Sequence, residues 1–235
     1  TLSGAMDLGG AMSQITVNNA ADTICGVISG AGGITKAGTG TLTLTGANTY
    51  TGGTTVSAGA ITGNSTSLQG SITNNALVTF NQTAAGTYSG NMTGTGALTK
   101  TGAGALTLSG TNTYTGNTTI SAGILRAGVN NALSTTTAVT LANTVGAGLD
   151  LNNFDLTIGS LAGGGTTTRG SVTLGSGTLT TGDDSNTTYA GVISGTGSLV
   201  KAGTGTLTLT GASTYSGGTV IDEGTISVGG NDAGF

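Results

Sequence analysis

The stretch KAGTGTLTLTGANTYTGG, Lys36 to Gly53, decides the fold. Leu42 and Leu44 alternate with Thr41, Thr43 and Thr45. That period of two sets leucines on one face of a strand and β-branched hydroxyls on the other. Before the strand lies AGTG and after it GANTYTGG, built from residues that tolerate positive φ or bond their own backbone, so the strand is short and ends in turns. The phrase returns as KTGAGALTLSGTNTYTGN from Lys100 and as KAGTGTLTLTGASTYSGG from Lys201. Extended to 26–61, 90–125 and 191–226, the copies align without a gap, and the first and third are identical at 25 of 36 positions. The lysines lie 64 and 101 residues apart. Divided by three and by five, these spacings give steps of about 20–21 residues, the length of one rung of a solenoid. The sequence therefore predicts a stack of rungs, with equivalent repeat positions in one register three and five rungs apart.

Composition supports an ordered chain without the usual bulky core. Of 235 residues 47 are glycine, 35% are apolar and 6% are charged; there is no proline or tryptophan, and only three Phe and five Tyr occur. Disordered chains combine low hydrophobicity with high charge, which is not the pattern here. The absence of proline suits a body in which nearly every segment donates to a ladder. A net charge of −4 argues against nucleic acid as a partner, because phosphate neutralisation needs a basic surface. No stretch reaches the ~20 apolar residues of a spanning helix. Cys25 is the single cysteine, so no internal disulfide forms, and a small buried core role is expected for it.

The same alternation recurs at Leu106 and Leu108, Leu156 and Ile158, Val172 and Leu174, and Leu207 and Leu209. No helical periodicity longer than two turns is present, so the chain is all-β. A sandwich needs hairpins and large aromatic anchors. A parallel β-helix needs a narrow interior of small aliphatic residues, which this composition supplies. About eleven coils stacked at ~4.8 Å predict a rod roughly 50 Å long, with residues 1–235 as one solenoid and a thin core of Leu, Ile, Val and Ala.

The segment GVISGTGSLVKAGTGTLTLTGASTYSGGTVIDEGTI at 191–226, with its copies at 26–61 and 90–125, resembles the passenger-associated transport repeat, also called the autotransporter-associated β-strand repeat. The intervening stretches at 149–165 and 175–197 are similar to the spacers of such passengers. The resemblance implies a right-handed parallel β-helix within the secreted passenger of a Gram-negative type V autotransporter, with a membrane barrel translocator expected elsewhere in the full-length chain. It also implies an extracellular, cell-surface location and roles in adhesion and virulence.

Candidate chemistry is sparse. Lys36, Lys100 and Lys201 are expected to be solvated residues that keep an edge soluble. Tyr50, Tyr114 and Tyr215, each following Asn-Thr or Ser-Thr, are expected to anchor a turn against the coil rather than to present a flat face to a ligand. The glycine pairs Gly38 and Gly40, or Gly94 and Gly96, lack the following helix of a dinucleotide fingerprint, so no nucleotide cofactor is expected. Without histidine no Ser-His-Asp or Cys-His arrangement exists. Neighbouring carboxylates such as Asp222 and Glu223 point to opposite faces if they lie on a strand, unlike a glycosidase pair. Asp183 and Asp184 are weak calcium candidates, since the ion takes several oxygens, but their spacing is that of a solvated turn. The expectation is a non-enzymatic rod without cofactor. It acts as a stalk or adhesive surface toward a host or bacterial surface protein or glycan; alternatives are self-association through the ends or sides of the helix, and release as an effector for a host receptor.

Overall fold

The Thr-Leu-Thr-Leu alternation folds as the sequence dictates. In the computed structural model, which describes residues 1–165 and 169–229, Leu42 and Leu44 are buried and Thr41 and Thr43 half-buried. The inward residues of each coil meet those of the coils above and below. The interior leucines at 106, 108, 156, 207 and 209, with Ile158, Val172 and Leu174, are all at most 2% exposed. Residues 166–168 and 230–235 of the expected 1–235 solenoid lie outside the described residues.

The coil has three faces, visited in a fixed order. The first carries β1 (Met6–Asp7) and β4 (Ile28–Ser29), then β11 (Gly86–Tyr88), β14 (Leu106–Leu108), β16 (Ile124–Ala127), β18 (Gly148–Asp150), β21 (Ser171–Thr173) and β24 (Ile193–Ser194). The second carries β2 (Ser13–Thr16), β5 (Ile34–Ala37), β7 (Thr54–Val56), β9 (Ile72–Asn74) and β12 (Met92–Thr93), then β19 (Leu156–Ile158), β22 (Leu179–Thr181), β25 (Leu199–Lys201) and β27 (Thr219–Ile221). The third is one unbroken sheet of eleven strands: β3 (Ala21–Ile24), β6 (Thr41–Leu44), β8 (Ala60–Gly63), β10 (Leu77–Asn81), β13 (Ala97–Thr101), β15 (Thr118–Ile120), β17 (Ala138–Leu141), β20 (Ser160–Gly163), β23 (Thr187–Tyr189), β26 (Thr206–Leu209) and β28 (Thr225–Val228). Every pairing between these strands is parallel, for example Leu42 with Ile61 and Leu98 with Thr118. The described residues contain no helix, and the protein is a β-solenoid of about eleven turns.

The rungs are less uniform than the lysine spacing suggests. Along the third face the step from one strand to the next runs from 17 residues, Ala60 to Leu77, to 26, Gly163 to Tyr189. The repeat copies consequently do not share a register. Lys36 lies on the second face in β5; three rungs onward on that face is β12, and Lys100 lies one face beyond it, in β13. From Lys100 four rungs along the third face reach β23, and Lys201 lies two faces beyond, in β25. The middle copy is thus turned by one face relative to the outer two. A repeat whose strands and turns are each about one face long specifies a local corner, and that corner fits any of the three sides.

The core also departs from the aliphatic expectation. All five tyrosines and Phe80 are buried in it, and Phe80 and Tyr88 pack with ring centroids 5.0 Å apart at a tilt of 55°. Each tyrosine hydroxyl finds a hydrogen-bond partner, a threonine hydroxyl or a main-chain carbonyl, which is what permits a tyrosine inside. Cys25 is exposed, not buried. It follows the inward Ile24, so the alternation turns it out.

Candidate functional site

The repeat lysines are not solvated: Lys36 and Lys100 are 0% exposed and Lys201 1%. Each occupies the inward position after a buried aliphatic residue, as in Ile34-Thr35-Lys36, and its stem packs with the core while the ammonium caps a corner. Lys36 Nζ donates to the carbonyls of Ala37, Gly38 and Ala58 at 2.9, 2.8 and 3.0 Å. Lys100 Nζ donates to Thr101, Gly102 and Ala122 at 2.8, 2.8 and 3.0 Å. Lys201 Nζ donates to Ala202 and Gly203. The chain turns here at glycines with φ of +78°, +75° and +69°, Gly38, Gly102 and Gly203, and a turn of that kind aims carbonyls inward where no strand meets them. Three donors on one ammonium satisfy three such carbonyls. Burial pulls the Lys36 ammonium below its ordinary pKa, and that of Lys100 down to about 8.

The repeat tyrosines bond a threonine four residues on. The Tyr50 hydroxyl meets Thr54 Oγ1 at 2.8 Å, Tyr114 meets Thr118 at 2.7 Å, and Tyr215 meets Thr219. Burial pushes the Tyr50 and Tyr114 phenols up. Tyr88 and Tyr189, to which the repeat pattern assigns no role, donate to the carbonyls of Gly70 and Gly170 at 2.7 and 2.6 Å. Burial raises both phenols as well. A shared signal was available, since both rings precede a small residue and a glycine, in Tyr88-Ser89-Gly90 and Tyr189-Ala190-Gly191.

Between its third and fourth strands each copy runs extended without a regular ladder, as Asn48-Thr49-Tyr50 or Asn112-Thr113-Tyr114. The asparagine replaces the missing ladder. Asn48 Oδ1 accepts the Ile28 N–H at 2.8 Å and its amide donates to Ser67 C=O at 2.7 Å. Asn112 does the same between Met92 N–H, at 2.8 Å, and Ala132 C=O, at 2.6 Å. In the third copy Ser213 Oγ accepts the Ile193 N–H at 3.2 Å.

Two features face solvent. The outer side of the third sheet carries one threonine column, in which Thr23, Thr43, Thr62, Thr79, Thr99, Thr119 and Thr140 are successive cross-strand partners, continued by Thr188 and Thr208. Ala162 is the cross-strand partner of Thr140. From β6 to β26 no outward residue of these strands is charged. The other feature is a groove of about 300 Å³ on the second face, between Thr111–Thr115 and Asn131–Thr136. On the first face Arg126 Nε and Asp150 Oδ2 form a cross-strand ion pair at 2.7 Å.

Asp183 and Asp184 sit in the turn between β22 and β23. Asp183 Oδ1 accepts the Ser185 N–H at 2.9 Å and the Ser185 hydroxyl. Burial pushes its carboxyl up, but these bonds outweigh that and hold it below its ordinary value. The carboxylate closes its own turn, Asp184 is exposed, and among the described residues no group of three His, Cys, Asp or Glu forms around them.

The family model of the passenger-associated transport repeat matches residues 34–66, 98–127 and 199–228, the stretches that hold the lysine corners and the tyrosine turns. A 119-residue segment, 49% of the chain, is 46% identical to the Adhesin BmaC autotransporter of Brucella suis biovar 1 (strain 1330). The match spans 3% of that relative's length. No solved structure matches. Three copies of the passenger-associated transport repeat wound into one parallel solenoid, together with the likeness to an autotransporter adhesin, support an autotransporter passenger, a chain exported to the bacterial cell surface.

Proposed function

We propose that this segment is a rigid surface stalk whose third face is itself adhesive, toward proteins or glycans on host or neighbouring cells. The observation that carries the reading is the threonine column on an unbroken eleven-strand sheet with no outward charge from β6 to β26. Parallel pairing fixes each hydroxyl at strand spacing, ~4.8 Å from the next, so a partner meets a preorganised array and little side-chain freedom is lost on contact. The named adhesin among similar proteins supports a binding role over catalysis. Beads coated with the purified rod should adhere to epithelial or bacterial cells above albumin-coated beads. The double substitution Thr99→Lys and Thr119→Lys, on adjacent rungs, should abolish the excess. Adhesion no greater than the albumin control leaves a pure spacer. Adhesion only between rod-coated beads, with sedimentation that rises with concentration, indicates self-association instead.

A further inference from the structure

The second face is stranded except at two rungs between β12 and β19, where the chain passes as residues 109–117 and 128–137. The first of these bonds backward: the N–H of Thr113 donates to Met92 C=O at 2.8 Å and that of Thr115 to Gly94 C=O at 2.9 Å. In an extended chain alternate residues point their N–H and C=O to opposite sides, so Asn112 and Tyr114 point theirs forward. Neither makes a backbone hydrogen bond with those groups among the described residues.

The corresponding position of the first copy is closed. There the Asn48 N–H donates to Thr66 C=O at 3.0 Å, and the Gln69 N–H to the Tyr50 hydroxyl at 3.1 Å. The difference lies in the loop that follows. After β8 the covering loop is 64–71; after β16 it is 128–137, two residues longer, and besides its backward bonds at Gly128, Ala132 and Thr137 it is tied forward at Asn130 and Asn131. The Asn131 N–H donates to Asp155 C=O at 2.8 Å, while the side-chain carbonyls of Asn130 and Asn131 accept the N–H groups of Asp155 and Thr157 at 3.0 and 2.9 Å. Drawn toward the next rung, the loop leaves the groove behind it.

The groove has a definite chemistry. Its lining joins the aliphatic Leu133 to five threonines, two asparagines and a serine, and of these Thr113, Thr135, Thr136 and Asn131 are exposed, so hydroxyls, an amide and threonine methyls are within its reach. Leu133 and Ser134 are themselves 2% and 5% exposed, yet their N–H groups meet no acceptor among the described residues. A buried donor without an acceptor is costly, and a ligand acceptor that reaches it offsets that cost. No charged residue lines the groove, so an ionic ligand entering it loses hydration without finding a counter-charge. Its volume is at the small end of ligand sites.

We propose that this groove binds a neutral saccharide unit, the end or a short stretch of an uncharged glycan. Ring hydroxyls supply both acceptors and donors to the rim and the main chain, and the C–H face of the ring meets Leu133. The site lies on a different face from the threonine column and stands or falls apart from it. The test titrates the rod with lactose, cellobiose and chitobiose, and in parallel with sialyllactose and a sulfated heparin disaccharide. At least one neutral sugar should bind, with an affinity unmoved by added salt. Thr113→Tyr, which fills the groove from an exposed position, should weaken that binding by about tenfold or more, equivalent to about 1.4 kcal/mol. Thr49→Tyr, the same repeat position on the closed copy, should leave it unchanged, and equal thermal midpoints of the two variants exclude misfolding as the cause. No binding of any neutral sugar, binding of the charged sugars alone, or an unaffected Thr113→Tyr overturns the proposal. Bead adhesion of Thr113→Tyr is read separately, because the third face remains intact in that variant.

Discussion

A lysine in a repeated, glycine-rich phrase reads as a soluble edge because an ammonium is costly to bury. What reverses that reading at Lys36, Lys100 and Lys201 is the set of inward carbonyls that the adjacent glycine turn creates, and sequence alternation alone does not reveal where those carbonyls point. The parity was legible: Lys36 is two residues from Ile34, and so on the inward side. Lys100→Met keeps the stem and removes the three bonds to Thr101, Gly102 and Ala122. With each orphaned carbonyl costing about 1–3 kcal/mol and part of this offset by the relief of a buried charge, a net loss of about 2–4 kcal/mol is expected in urea unfolding. The pH dependence has a definite sign. Lys100 titrates at about 8 when folded, whereas an unfolded lysine titrates near about 10.4. Between those values the unfolded chain binds more protons, so the cost of burying the charge is fully present below pH 8 and fades as pH rises. Wild-type stability should therefore climb from about pH 8 toward about pH 10. Lys100→Met should show a smaller climb, the remainder coming from Lys36, whose pKa burial also lowers.

At the scale of the element, the repeat is a portable corner. Strand parity, the interior leucines and the all-β class were readable from alternation because inward and outward positions differ in residue type at every rung. The face on which each copy lands was not readable, because it depends on summed rung lengths, which range from 17 to 26 residues and are set by loops without a repeat pattern. The groove was illegible for the same reason: it arises from the two extra residues and forward ties of the loop 128–137, not from a motif. Portability is testable. Replacing residues 100–117 with the sequence of 36–53 changes Thr101, Ala103, Ala105, Ser109, Thr111 and Asn117, none of which is buried. Although the donor segment comes from another face, the chimera should unfold within about 1 kcal/mol of wild type, as substitutions away from the core do. A loss of several kcal/mol would mean that the copies are adapted to their faces.

For the whole molecule, the solenoid makes stability local along one axis, since each rung meets only the rungs beside it. The buried tyrosines add a shared alkaline limit. Tyr50, Tyr88, Tyr114 and Tyr189 all have phenols raised by burial. Their stabilisation is whole below the unfolded value near about 10 and is lost as pH rises above it. Tyrosinate absorbance should therefore appear together with loss of β signal, not before it. A charge placed in one rung separates the local from the shared. Leu161 is fully buried in β20, the eighth of the eleven strands of the third sheet. Leu161→Asp puts an unpaired carboxylate there, a defect costing several kcal/mol. In a one-dimensional stack it should split urea unfolding into two transitions, with the rungs on either side melting apart, while wild type shows one. The same variant bears on export. If rung-by-rung folding outside the cell helps draw the passenger across, Leu161→Asp, or a polar residue at Leu207 or Leu209, should lower the amount displayed on the surface in proportion to the stability lost. Normal display of a rod that unfolds in two steps would separate export from folding.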